Sequence, residues 1–161
     1  MNILMIGEYP PKIGGISTHI YYLKKELKDH NQNVFVLTYS SGLPKKFRGI
    51  LFIFFGFFKG LFVIRKNNID VIHSHFATSP GLLGILLSIF SRKKRILTVH
   101  GSDINVCLNR TIVGKLVKFV LSNYPLIIAV SPSLFEKITH LVNSEAILIP
   151  NGVDNLRFFP D

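Results

Sequence analysis

Short apolar runs alternate along the chain with longer stretches in which apolar side chains return every three to four residues. That alternation of strands and helices builds a parallel α/β sheet. Asn2 to Ile6 predicts a first strand, and Ser17 to Asp29 a helix whose Ile20, Leu23 and Leu27 share one face. Asn33–Thr38, Asp70–Ser74, Arg95–Val99, Leu126–Val130 and Ala146–Ile149 predict five further strands, and Arg48–Lys66, Pro80–Phe90, Ile112–Ser122 and Pro132–Val142 the helices between them. Val34 to Leu37 and Leu126 to Val130 are apolar without a polar alternate, the pattern of strands covered by helices on both faces. Before the last of these helices, Ser131 stands at the cap position with Pro132 behind it, and Ser133 and Glu136 have the capping-box spacing.

The 161 residues fit one domain, and 48% hydrophobic against 17% charged residues excludes an intrinsically disordered chain. The single Cys107 excludes an intramolecular disulfide and a cysteine-based zinc cluster. The first apolar stretch, Ile3 to Ile6, is too short for a secretory leader, so a cytosolic setting is expected.

Nineteen Lys and Arg against nine Asp and Glu give a net charge of +10, which favours anionic partners: phosphates, nucleotides, nucleic acid or acidic lipid. No nucleic-acid-binding motif accompanies the charge, and nucleic acid is not an expected partner. The charge is regional. Lys45, Lys46, Arg48, Lys59, Arg65, Lys66, Arg92, Lys93, Lys94 and Arg95 lie in one segment with a single acid, Asp70. Interleaved with them is the most apolar run, Ile50 to Ile64, which falls short of the about 20 residues of a membrane span and contains Lys59. A buried or interfacial helix is expected. Lys45, Lys46, Arg48, Lys59, Arg65 and Lys66 are candidates for an anionic membrane surface at which the protein would be peripheral. Most of the Phe residues of the run are expected simply to cover the sheet.

Open α/β sheets bind ligands at the carboxyl ends of their strands, so the loops there carry the candidate chemistry. After the first strand, Gly7 to Gly15 ends in paired glycines at a helix entry, where free backbone N–H groups attract a phosphate. A tight turn needing positive φ is the competing explanation of Gly14 and Gly15. The spacing is neither that of a dinucleotide fingerprint nor that of a P-loop, so nicotinamide enzymes and P-loop NTPases lose ground. His73 and His75 share a face of the third strand. His100, followed by Gly101, and Asp103 after the fourth strand are candidates for holding sugar hydroxyls or assisting proton transfer, against a structural aspartate cap beside a buried histidine. No metal site can be completed from these residues.

In this order the motifs resemble the N-terminal half of a retaining glycosyltransferase of GT-B architecture, in glycosyltransferase family 4. The resemblance rests on Pro10-Pro11 to Gly14-Gly15, on Asp70 to His75, on Thr98 to Asp103, on Val130-Ser131 and on Ile149 to Asp154 with Phe159-Pro160. It implies a Rossmann-like parallel sheet with helices on both faces over residues 1–154, with residues 155–161 opening the connection to a C-terminal donor-binding domain. It implies a nucleotide diphosphate sugar as donor, a glycan or lipid-linked acceptor, and no metal or other cofactor. Gly14 and Gly15 map to the donor diphosphate, His100 to the transferred sugar, and Asp103 and His75 to acceptor or sugar contacts. The paired-glutamate motif of the family's second domain has no counterpart here, so the chain is expected to be inactive without that half, supplied in cis or in trans. A non-catalytic partner or membrane-recruiting subunit is the alternative.

Overall fold

The computed structural model describes residues 1–38 and 48–152. Its elements follow in the order β1 (Asn2–Ile6), α1 (Gly15–Asp29), β2 (Asn33–Leu37), α2 (Arg48–Lys66), β3 (Val71–His75), α3 (Ser79–Ser91), β4 (Lys94–Val99), α4 (Thr111–Ser122), β5 (Leu126–Ala129), α5 (Pro132–Leu141) and β6 (Glu145–Leu148). A short π-helical turn, Asp103–Cys107, stands between β4 and α4. The six strands form one parallel sheet in the order β2-β1-β3-β4-β5-β6. The Rossmann-like α/β architecture is therefore the observed one. Residues 153–161, and with them Asp154, Phe159 and Pro160, lie outside the described residues, as do Lys45 and Lys46.

Alternation along β1 sorts the helices onto the two faces. Ile3 and Met5 pack with Ile20 and Val34 beneath α1. Leu4 and Ile6 turn the other way, into a core with Phe52 and Ile64 of α2 and Leu83 and Leu87 of α3. Register carries the same parity across the sheet: Ser74 pairs with Leu97, Leu97 with Ile127, and Val99 with Ala129. Leu97, Val99, Ile127 and Ala129 join Val117 and Leu121 of α4 and Leu134 and Ile138 of α5. The coverage is thus uneven, with α1 on one face and α2 to α5 on the other. His73 pairs with Met5 and His75 with Thr98, which puts both histidines on the α1 face.

Helix α2 corrects one expectation. Phe52 is buried, but Phe54, Phe55, Phe58 and Phe62 are 57–63% exposed. The helix lies close against α3 through the buried Gly56 and Gly60, beside Leu83 and Leu87, so only one stripe is covered and the aromatic side chains exceed it. Among the described residues no helix is long and apolar enough to cross a membrane. At α5, Ser131 occupies the cap position as expected, but its side chain makes no capping hydrogen bond.

The carboxyl end of β3 is pinned from the α3 side. Tyr124, 1% exposed, donates its hydroxyl toward Ser74 Oγ at 2.8 Å and the Gly81 carbonyl at 2.9 Å. A methyl at Gly84 would overlap both Ser74 Oγ and the Tyr124 hydroxyl. Gly84→Ala is therefore expected to destabilise the fold by about 1–3 kcal/mol in urea unfolding. Unchanged stability would mean that this packing is loose.

Candidate functional site

The chain leaves β1 toward β2 on one side, while β3 lies on the other, so the loops after β1 and β3 diverge and open a crevice at the carboxyl ends of the strands. Three imidazoles meet there. His75 ends β3, His100 follows β4, and His19 comes from α1, one turn beyond Gly15. His75 Nδ1 lies 3.3 Å from His100 Nε2. The His19 ring stands edge-on to His100, with centroids 5.0 Å apart, and is 5.5 Å from His75. Beneath them His73 stacks on His75 at 4.1 Å and is anchored by Thr98 Oγ1 at 2.8 Å from its Nε2. The sequence singled out His73, His75 and His100 but missed His19. Its signal was the step of four residues from Gly15, which brings it onto the same side of the helix.

Burial is the main reason that these rings stay neutral. It pushes the pKa of His73 down to about 3, with His19 and His100 adding repulsion, and that of His100 down to about 3, with His19 adding to it. Burial also holds His75 well below the ordinary 6.5, assisted by His73, His100 and His19. His19 is lowered by burial, partly offset by a side-chain hydrogen bond with Asn151, in the loop after β6. At neutral pH, His100 thus offers a hydrogen-bonding ring and not a cation.

Asp103 is fully buried and turned onto the backbone. Its Oδ2 accepts from the Ala77 amide at 3.1 Å, and its Oδ1 from the amides of His100 at 3.2 Å and Gly101 at 3.0 Å. One carboxylate thereby ties the loop after β3 to the loop after β4. Burial raises its pKa and the backbone hydrogen bonds oppose that rise. The tie also holds two unusual backbone conformations, Phe76 at φ 100° and Gly101 at φ 101°. The former is costly for a residue with a side chain. Asp103 therefore fixes the backbone from which His100 projects.

Gly14 and Gly15 open α1. Gly14 is extended, with φ 167°, and a Cβ at either position meets nothing within 4 Å. The turn needing positive φ, offered as an alternative for this pair, is absent at Gly14. Packing within the described residues requires glycine at neither position. The buried Ser17 holds the loop from inside, its hydroxyl donating to the Lys12 carbonyl at 2.5 Å. Of the basic candidates, Lys59, Arg65 and Lys66 are exposed along α2, and Arg48 is half-buried at its start.

A family model described as Glycosyltransferase Family 4 matches residues 13–155. The chain is 36% identical, over 96% of its length, to an uncharacterized glycosyltransferase of Methanocaldococcus jannaschii, of which it covers 47%. It is 28% identical to the phosphatidylinositol N-acetylglucosaminyltransferase GPI3 subunit of Saccharomyces cerevisiae, covering 99% of this chain and 41% of that one. The chain thus spans about half the length of these relatives. The crystal structure of Anabaena Alr3699/HepE in complex with UDP-glucose superposes on 96% of the chain, and on 44% of its own, with a TM-score of 0.60 at 17% identity.

The depressed histidines make folding pH-dependent. Above about pH 6.5 they are neutral both folded and unfolded. As pH falls from 6.5 toward about 3, the unfolded chain takes up protons that folded His73 and His100 refuse, and stability is lost. Asp103, whose pKa is raised, pulls the opposite way, but as one group against several. The melting temperature is expected to be level above pH 6.5 and to fall steadily below it. A melting temperature that holds or rises on acidification would contradict the buried neutral cluster.

Proposed function

Because the chain belongs to glycosyltransferase family 4, we propose that it is the acceptor-side half of an enzyme moving a sugar from a nucleotide diphosphate donor to a glycan or lipid-linked acceptor, with retention at the anomeric carbon. The observation that carries this reading is the α1 entry: two glycines that neither packing nor backbone conformation requires, beside His100 through His19. Such an entry lets a diphosphate approach free backbone N–H groups at the positive end of a helix dipole.

In this reading the Gly14–Gly15 amides meet the diphosphate, and His100 hydrogen-bonds the transferred sugar. His75 supports the His100 ring from behind, and Asp103 sets the loop from which His100 projects. The C–O bond to the diphosphate breaks, the acceptor oxygen forms its bond on the same face, and the departing phosphate takes the acceptor proton. The chain's part is orientation and stabilisation of the charge that builds on the leaving oxygens. No metal cofactor is assigned. The carboxylates of these loops are already engaged, Asp103 by backbone amides and Glu8 by Lys12.

Helix α2 supports work at the inner face of a membrane. Its exposed Phe54, Phe55, Phe58 and Phe62, with Lys59, Arg65 and Lys66, make an aromatic face with a cationic rim. The same face favours the second reading, a recruiting or partner subunit without chemistry of its own.

Two measurements test these statements. The 161-residue chain alone is expected to show no turnover of nucleotide-sugars. Joined to a donor-binding half, it turns over, and His100→Ala lowers kcat by about a hundredfold or more with the melting temperature kept, while Gly15→Val abolishes donor use. Full turnover in His100→Ala with a collapsed melting temperature would make the histidine a packing residue only. In vesicle flotation the chain is expected to follow anionic liposomes over neutral ones, with salt weakening the preference. Equal partitioning would refute the membrane role.

A further inference from the structure

The three imidazoles also suit a ligand that the proposed transfer does not use. Among the described residues His19, His75 and His100 form the group able to share an ion, each offering one ring nitrogen, with all three nitrogens within 4.8 Å of one another. One pair already has the right separation. Zinc sits about 2.0–2.1 Å from imidazole nitrogen, which sets the edge of a tetrahedron at about 3.3–3.4 Å, and His75 Nδ1 and His100 Nε2 are 3.3 Å apart. His19 is half-buried on the first turns of α1, with a ring nitrogen within 4.8 Å of those of the other two.

Neighbouring groups restrain two of the three rings. His19 is oriented by Asn151 and His75 by the stacked, Thr98-anchored His73. His75 is fully buried and offers the crevice Nδ1, the nitrogen that already faces His100. The donor set is all nitrogen, which selects among cations: imidazole suits zinc, nickel and copper, whereas magnesium and calcium take oxygen.

We propose that His19, His75 and His100 bind a divalent transition ion of the zinc, nickel or copper class, with a fourth position open to the crevice. The ion occupies the place beside His100 that the proposed function gives to the donor sugar. It is therefore an inhibitory ligand of the crevice, with no part in the transfer. That consequence rests on the proposed function; ion binding itself is independent of it.

Binding is tested on the 161-residue chain without any nucleotide-sugar, so its outcome is separate from that of the transfer reaction. Zinc titration by calorimetry is expected to give one ion per chain. His19→Asn weakens it at least about tenfold, while the exposed pair His30→Asn and His140→Asn leaves it unchanged, and magnesium does not bind. Cobalt is expected to show the strong visible absorption of a tetrahedral site, lost in His19→Asn. In the unaltered chain, zinc suppresses carbethoxylation of His19, read by mass spectrometry, and leaves His30 and His140 labelled. This last measurement does not depend on how a variant folds. Absence of stoichiometric zinc binding, zinc affinity that survives His19→Asn or disappears with His30 and His140, or labelling of His19 indifferent to zinc would each overturn the proposal. If binding holds and zinc fails to compete with the donor in the joined enzyme, the ion site stands and the assigned sugar position falls.

Discussion

A single buried carboxylate sets the geometry of the crevice. Asp103 takes hydrogen bonds from Ala77, beyond β3, and from His100 and Gly101, beyond β4. Two strand ends are thereby fixed to each other by one side chain. Without that tie three backbone N–H groups lose their acceptor, each at a cost of about 1–3 kcal/mol, and Phe76 has less to hold it at φ 100°. The sheet beneath supplies what the tie works against. Register brings His75 beside Thr98, and Tyr124 grips Ser74 from the opposite face. The histidines of the crevice are therefore held from below by parallel strand pairing and from the side by one acid.

That frame also explains the electrostatics. Placing four histidines at the ends of β3 and β4 and the start of α1 would be costly if they were charged, since they lie within ring-contact distance of one another. Burial removes the cost by keeping them neutral. Dense basic clusters lie elsewhere, on α2 and at the turn after α3. The crevice thus presents hydrogen-bonding rings and helix-terminal amides, while Lys59, Arg65 and Lys66 stand exposed on α2. The crevice and α2 are chemically distinct surfaces, the first polar and uncharged, the second aromatic and cationic.

Much of this was legible in the sequence, for identifiable reasons. Strands buried on both faces are short apolar runs, and β1, β2 and β5 fall at or within a residue of their expected bounds. Helix α2 spans the expected residues, yet its orientation was not legible: a helix apolar on nearly all sides gives no stripe from which to tell its covered face. The covered face is set by Gly56 and Gly60, which let α3 approach. The π-helical turn at Asp103–Cys107 was also missed, because it follows from tertiary contacts of the Asp103 loop and has no periodic pattern of its own. His19 was missed for a related reason. Its neighbours are distant in sequence, and only the sheet order, with β1 beside β3 and β3 beside β4, brings α1 to the two histidine loops.

The central claim is that the α1 entry and the His100 loop form one site for the sugar and diphosphate of a nucleotide-sugar. It is tested most directly by titrating the isotope-labelled chain, joined to a donor-binding half, with UDP-glucose and following its backbone amides by NMR. The account predicts that the amides of Gly14, Gly15, Ile16, His100 and Gly101 shift together along one saturating curve, while those of Arg95 and Glu145, at the opposite ends of the strands, stay in place. Shifts confined to the amino ends of the strands, or separate saturation of the two loops, would contradict it.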